Sequence, residues 1–207
     1  MEELVIKSKT DTKKIMIIFH GYGANKEDFL PVAEAFSQNI DYMQINIPDG
    51  IEKSGHPNGY QWFSLCGNTL DDDNMAFHKN EHIIRNYIAG ILNENEISAE
   101  DLIFVGFSHG AMLSLILGLK LGVSHIISFC GVLLDPKIKS RNPNTKIIMV
   151  HGRNDKVVPV DLMFSSIEAL RHSNLNISVV ISESAAHYID ERMMMAAIEF
   201  LTEDENG

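Results

Sequence analysis

Short runs of apolar, often β-branched residues alternate along the chain with longer stretches of helical periodicity. The runs fall at 15–19, 42–47, 102–106, 125–129, 146–150 and 178–182, with a further strand predicted at 4–7. Most carry hydrophobic residues at consecutive positions, as strands covered on both faces do. Between them lie helical patterns. Asn25 to Asp28 offers capping residues and Pro31 suits an early helical turn. The segment 76–92 is polar along one side. Residues 109–121 are apolar almost all round, which predicts a central helix. Helices over 160–172 and 189–201 complete the set. Alternating strand and helix predicts an α/β protein with a mostly parallel sheet.

In such sheets, sites form beyond the C-terminal ends of the strands. Three predicted exits read His20-Gly21, Phe107-Ser108-His109 and His151-Gly152-Arg153-Asn154-Asp155, and the last strand is followed shortly by His187. One edge of the sheet therefore collects a serine, an aspartate and several histidines.

Composition sets the limits. Of 207 residues 45% are hydrophobic and 22% charged, a globular balance with enough chain for a sizeable core. No linker, internal repeat or low-complexity tract divides it, so residues 1–207 read as one domain. Seventeen basic residues against 28 acidic ones give a formal charge of −11. This argues against a nucleic-acid partner, which needs clustered Lys and Arg, and against adsorption to anionic membranes. Cys66 and Cys130 form no disulfide framework or zinc cluster, and suit a reducing compartment. The first residues, MEELVIKSKT, lack the regions of a signal peptide. No apolar run reaches the length of about 18 residues needed to cross a bilayer. A cytoplasmic protein is expected, as a monomer or a homodimer.

The pentapeptide GFSHG, 106–110, is weak as a bare pattern and informative in place, because a strand precedes it and an apolar helix follows. A serine at such a junction sits on a sharp elbow, with glycines where side chains would collide. A serine hydroxyl needs a base to remove its proton, and the base needs a carboxylate to hold it. On this kind of fold the order is serine, acid, histidine. Ser108, Asp155 and His187 follow it. Asp161 remains a rival for the acid, and His151 and His172 for the base. Two backbone N–H groups must receive the oxyanion. The candidates are His109, just after the serine, and Tyr22, in the loop FHGYGANKEDF after the first core strand. His20 is expected to order that loop. His78 and His82 stand four apart, but without the glutamate pattern or third ligand of a metal site. No metal or cofactor is called for.

The chain resembles the α/β-hydrolase superfamily, and within it the carboxylesterase/phospholipase family that includes acyl-protein thioesterases. The resemblance rests on HGYGANKEDF (20–29), IPDG…YQWF (47–63), GFSHGAMLSL (106–115), FCGVL (129–133), HGRNDKVVP (151–159) and AHYI (186–189), in family order. It implies an α/β-hydrolase fold, with a mostly parallel sheet of about seven strands flanked by helices on both faces. It also implies Ser108 as nucleophile, Asp155 as acid, His187 as base, Tyr22 and His109 as oxyanion donors, and Trp62 and Phe63 near an acyl pocket, though both suit plain core equally. His109 stands where the family usually has Gln, and its ring is expected to add a charge near the mouth of the site. Ala186 stands where Gly is usual, and Cys130 where many members have Ser. The implied reaction is cleavage of a carboxylic ester or thioester through an acyl-enzyme, with small esters, lysophospholipids or acylated thiols as substrates. A peptidase or amidase on the same fold, or a catalytically silent binding protein, are the competing readings.

Overall fold

The computed structural model describes residues 1–12, 14–65, 69–172 and 175–202. Cys66 and the acidic run 203–205 lie outside the described residues. The strands are, in chain order, β1 (Glu3–Ile6), β2 (Lys14–Phe19), β3 (Met43–Pro48), β4 (Glu52–Lys53), β5 (Tyr60–Gln61), β6 (Leu102–Phe107), β7 (His125–Phe129), β8 (Lys146–Gly152) and β9 (Asn176–Ser182). The helices are α1 (Leu30–Asn39), α2 (Leu70–Asn95), α3 (His109–Leu121), α4 (Val160–Arg171) and α5 (Glu191–Thr202). Seven strands form one sheet in the order β1-β3-β2-β6-β7-β8-β9. Every neighbouring pair is parallel except β1 with β3. This is the mostly parallel seven-stranded sheet that the sequence predicts.

Two-residue alternation along each strand divides its side chains between two cores. Ile15, Ile17 and Phe19 of β2 pack with Phe77 of α2, Leu113 of α3 and Met163 of α4. Met16 and Ile18 point the other way, to Phe36 of α1 and Met193 of α5. Both faces of the sheet are thus covered, which explains why its strands read as unbroken apolar runs.

Local chemistry sets the helix ends. Asn25 and Asp28 cap one another, each backbone N–H donating to the other's side chain at 3.1 Å, and lead into α1 with Pro31 in its first turn. Helix α2 starts six residues before the apolar periodicity does. Thr69 Oγ1 accepts from the Asp72 N–H at 3.2 Å, and Asp71, Asp72 and Asp73 fill the first turn. Acidic groups there meet the positive end of the helix dipole, so the run LDDDN is a helix start. The pair β4–β5 has too little apolar periodicity to be read from sequence.

Helix α3 begins at the centre of the sheet with no clearance. A Cβ on Gly110 would lie 2.0 Å from the Phe19 carbonyl oxygen, and one on Gly106 would lie 2.2 Å from the Gly110 oxygen. Both obstacles are backbone, so neither can swing aside. Gly110→Ala is expected to destabilise the fold by at least about 2 kcal/mol, at the upper part of the usual range for overpacking, read as a lower urea midpoint. An unchanged midpoint would mean that α3 can back away from β2.

Candidate active site

The parallel strands send their C-terminal ends to one edge, and Ser108, Asp155 and His187 are brought together there. Ser108 follows β6 with φ 51° and ψ −111°, a left-handed geometry that a non-glycine residue adopts only when its surroundings impose it. Its N–H donates to the Phe129 carbonyl at 2.8 Å, and its own carbonyl accepts from Ala111 and Met112 at 3.0 Å. The turn is therefore bonded to β7 on one side and to the first turn of α3 on the other.

His187 lies in the loop between β9 and α5. Its Nδ1 is 2.7 Å from Asp155 Oδ2 and its Nε2 is 3.0 Å from Ser108 Oγ. An ionised carboxylate can only accept, so Nδ1 carries the proton and Nε2 presents a lone pair to the serine hydroxyl. The loop is tied at its base. Ser182 donates its hydroxyl to Asp190, and Asp190 Oδ1 accepts the Met193 N–H at 2.8 Å, capping α5.

Asp155 has its second oxygen fully used. Oδ1 accepts from the N–H groups of Val157 and Val158, both at 2.9 Å. Burial works against ionisation of this carboxyl, but the bond from His187 and the two backbone donors outweigh it and hold its pKa below the ordinary value. His151 supports the same loop: its Nε2 donates to the Val158 carbonyl at 2.8 Å and lies 3.3 Å from Asp155 Oδ2. The rivals drop out on position. Asp161 is exposed in the first turn of α4. His172 donates back to the Glu168 carbonyl at 2.7 Å.

Cys130, His151 and Asp155 offer ligand atoms within 4.8 Å of one another, a grouping that could in principle hold a metal ion. Their present bonds point elsewhere. His151 and Asp155 are engaged as described, and burial pushes the Cys130 thiol up to about 12. Cys130 and His151 serve to hold the Asp155 carboxylate.

The loop after β2 is built from beneath. His20 is fully buried; its Nδ1–H donates to the Gly21 carbonyl at 2.8 Å and its Nε2 accepts the Gly50 N–H at 2.9 Å. Burial holds this ring neutral. The small β4–β5 pair also acts here, since the Tyr60 carbonyl accepts the Gly23 N–H at 2.9 Å and the Tyr60 N–H donates to Ala24 at 2.8 Å. Tyr22 sits at the tip of this clamped turn. Among the described residues neither its N–H nor that of His109 has an acceptor. Both amides are free to receive one.

Two expectations need correction. Trp62 and Phe63 are fully buried and offer no surface to a ligand. The Trp62 indole N–H donates to the His20 carbonyl at 2.8 Å, and Phe63 packs edge-on to His109 with centroids 4.1 Å apart. Both support the site from within the core. His109 puts no charge at the mouth either. Its side chain turns inward, fully buried, with neither ring nitrogen hydrogen-bonded, and burial holds its pKa at about 3. Val132 and Leu133, within the FCGVL stretch, and Leu134 carry no expected site role from sequence. These follow β7 and line an apolar groove of about 360 Å³ against Leu162 of α4 and Leu70 of α2. The signal was the apolar run continuing past the end of the strand.

The buried histidines make stability depend on pH. His20, His109 and His151 all have pKa values lowered by burial. Below the ordinary value of 6.5 the unfolded chain binds more protons than the folded one. Their contribution is complete above that pH and is lost as pH falls toward the folded values, about 3 for His109. Each accounts for up to about 1.4 kcal/mol per pH unit. Urea denaturation across this interval should show a shallower pH slope for His109→Gln by up to that amount. Equal slopes would contradict a neutral buried imidazole.

The profile of the phospholipase/carboxylesterase family matches residues 1–204. Esterase YpfH of Escherichia coli is 27% identical over 194 residues, covering 91% of this chain and 82% of that relative. Acyl-protein thioesterase 1 homolog 1 of Dictyostelium discoideum is 27% identical over 199 residues, covering 88% and 87%. Among solved structures, esterase PE8 matches with a TM-score of 0.89 at 25% identity over 97% of both chains. Acyl-protein thioesterase 2 of Zea mays shares the fold, with a TM-score of 0.76 at 20% identity over 98% of both chains. With its sheet, elbow and profile in agreement along almost its whole length, this chain belongs to the phospholipase/carboxylesterase family of α/β-hydrolases.

Proposed function

We propose that the protein, working as one domain, is a serine hydrolase that cleaves carboxylic esters or thioesters through an acyl-enzyme. The observation that carries this reading is the unbroken hydrogen-bonded chain from Ser108 Oγ through His187 to Asp155. His187 Nε2 takes the Ser108 proton as Oγ attacks the acyl carbon. The imidazolium formed is stabilised by Asp155, whose buried carboxylate is already ionised and aligned. The developing oxyanion is received by the N–H groups of Tyr22 and His109. Donors fixed in a site of low dielectric need no reorganisation, and each is typically worth about 10²–10³ in kcat. His187 then returns the proton to the leaving alcohol or thiol. Water, activated by the same imidazole, attacks the acyl-enzyme and frees Ser108.

The apolar groove beyond β7, walled by Val132, Leu133 and Leu162, is the candidate site for the acyl chain. Its volume of about 360 Å³ suits a short or medium chain. The relatives' names support esters and thioesters alike as substrate classes. No helix among the described residues is long and apolar enough to cross a membrane.

Ser108→Ala and His187→Ala are each expected to lower kcat by at least about three orders of magnitude with the fold retained, measured on p-nitrophenyl esters. Near-native turnover by either variant would remove that residue from the mechanism. A panel of esters and thioesters of increasing acyl length, set against matched anilides, tests the substrate class. Ester and thioester turnover should exceed anilide turnover by orders of magnitude. Preference for the anilides would make the protein an amidase, and no turnover by folded wild type would leave a binding protein.

A further inference from the structure

The two edges of the central sheet are built differently. β1, at one edge, is four residues long and surrounded by polar bonding: Glu3 accepts from Asn46 and Tyr87, and Lys7 donates to Gln44. β9, at the other, is seven residues long and reads Asn-Ile-Ser-Val-Val-Ile-Ser, without charge, proline or glycine. Its inner side pairs with β8 along its full length. No described strand pairs with its outer side, and residues 176–181 are exposed or half-buried. A long uncharged edge is a template for another strand, and proteins that leave such an edge unused blunt it with charge, proline or a bulge. β9 has none of these.

Beside this edge, on the α4 face, lies a groove of about 700 Å³ lined by Phe164, Ile167, Glu168, Arg171, His172 and Val179. Phe164, Glu168 and Arg171 stand at i, i+4 and i+7, on one stripe of the helix. Phe164 is 43% exposed and Val179 36%. On a chain of formal charge −11, this stripe carries one carboxylate and one guanidinium and is locally balanced.

We propose that β9 and this groove form a two-fold interface with a second copy of the chain, the two β9 strands pairing antiparallel about Val179. The order of residues makes the strand complementary to itself. Pairing about Val179 sets Val179 against Val179 and Ile177 against Ile181. These three residues share the α4 face: Ile177 and Ile181 pack on the core beneath it, and Val179 lines the groove. In a two-fold interface each contact occurs twice with its partners exchanged. A groove bearing one acid and one base can then offer Arg171 of each copy to Glu168 of the other, where a groove of one sign would repel its mate. This self-complementarity favours a second copy over an unrelated peptide strand.

Sedimentation of the full chain over a wide micromolar range tests the proposal. The expected species is a dimer of twice 23.2 kDa. Val179→Lys, which sets two ammonium groups face to face on the axis, should weaken the dimer at least about tenfold while near-ultraviolet circular dichroism stays native. Val179→Cys in a Cys66→Ser background should form an intermolecular disulfide, because antiparallel neighbours on the axis lie within bridging distance, about 4.5–5.5 Å between Cα atoms. A monomer throughout the range, a dimer indifferent to Val179→Lys, or a dimer that Val179→Cys fails to cross-link would each overturn it. The assay does not depend on hydrolysis, so it stands or falls apart from the catalytic reading.

Discussion

The site depends on a serine held in left-handed backbone geometry where β6 turns into α3. Such a conformation costs of order 1–3 kcal/mol for a residue with a Cβ. It persists because the surrounding backbone over-determines it. The Ser108 N–H is bonded to β7, its carbonyl to the first turn of α3, and that turn is pressed against β2 with no room at Gly110 for a methyl group. The hydroxyl is thereby lifted above the sheet, toward the imidazole of His187. Cys130, at the end of the neighbouring strand β7, has the same positive φ of 51°. Two adjacent strand ends are thus bent sharply at the edge where the polar groups gather.

Around the triad, Asp155 carries the buried charge while the buried imidazoles and the thiol near it stay neutral. Asp155 is ionised because three donors reach it. His20, His109 and His151 are held neutral by burial, which for His20 and His151 outweighs the pull of the nearby Asp49 and Asp155 carboxylates. The Cys130 thiol keeps its proton for the same reason. A second cation beside Asp155 would compete with His187 for the carboxylate, so neutrality of the neighbours leaves His187 as the group whose charge Asp155 can compensate.

Much of this was legible in the sequence, because strands covered on both faces announce themselves as apolar runs. All seven strands of the main sheet lie where those runs fall. The order of Ser108, Asp155 and His187 could be read because each follows a strand, and parallel strands end on one edge. What could not be read depends on side-chain direction. His109 is polar by type, yet its ring turns into the core against Phe63. Trp62 looked like pocket or core, and its indole bond to His20 decides for core. The β4–β5 pair is too short for any period to show, although it clamps the Gly21–Ala24 turn. The start of α2 was obscured because its first turn is acidic, not apolar, which only the cap at Thr69 explains.

The central claim is that one serine reacts, and that it does so because His187 takes its proton. Covalent labelling with a fluorophosphonate, located by peptide mass spectrometry and timed in wild type and His187→Ala, addresses both halves at once. The label should fall on Ser108, and its rate should drop by at least about two orders of magnitude without the imidazole. Labelling of another residue, or an unchanged rate in the variant, would contradict it.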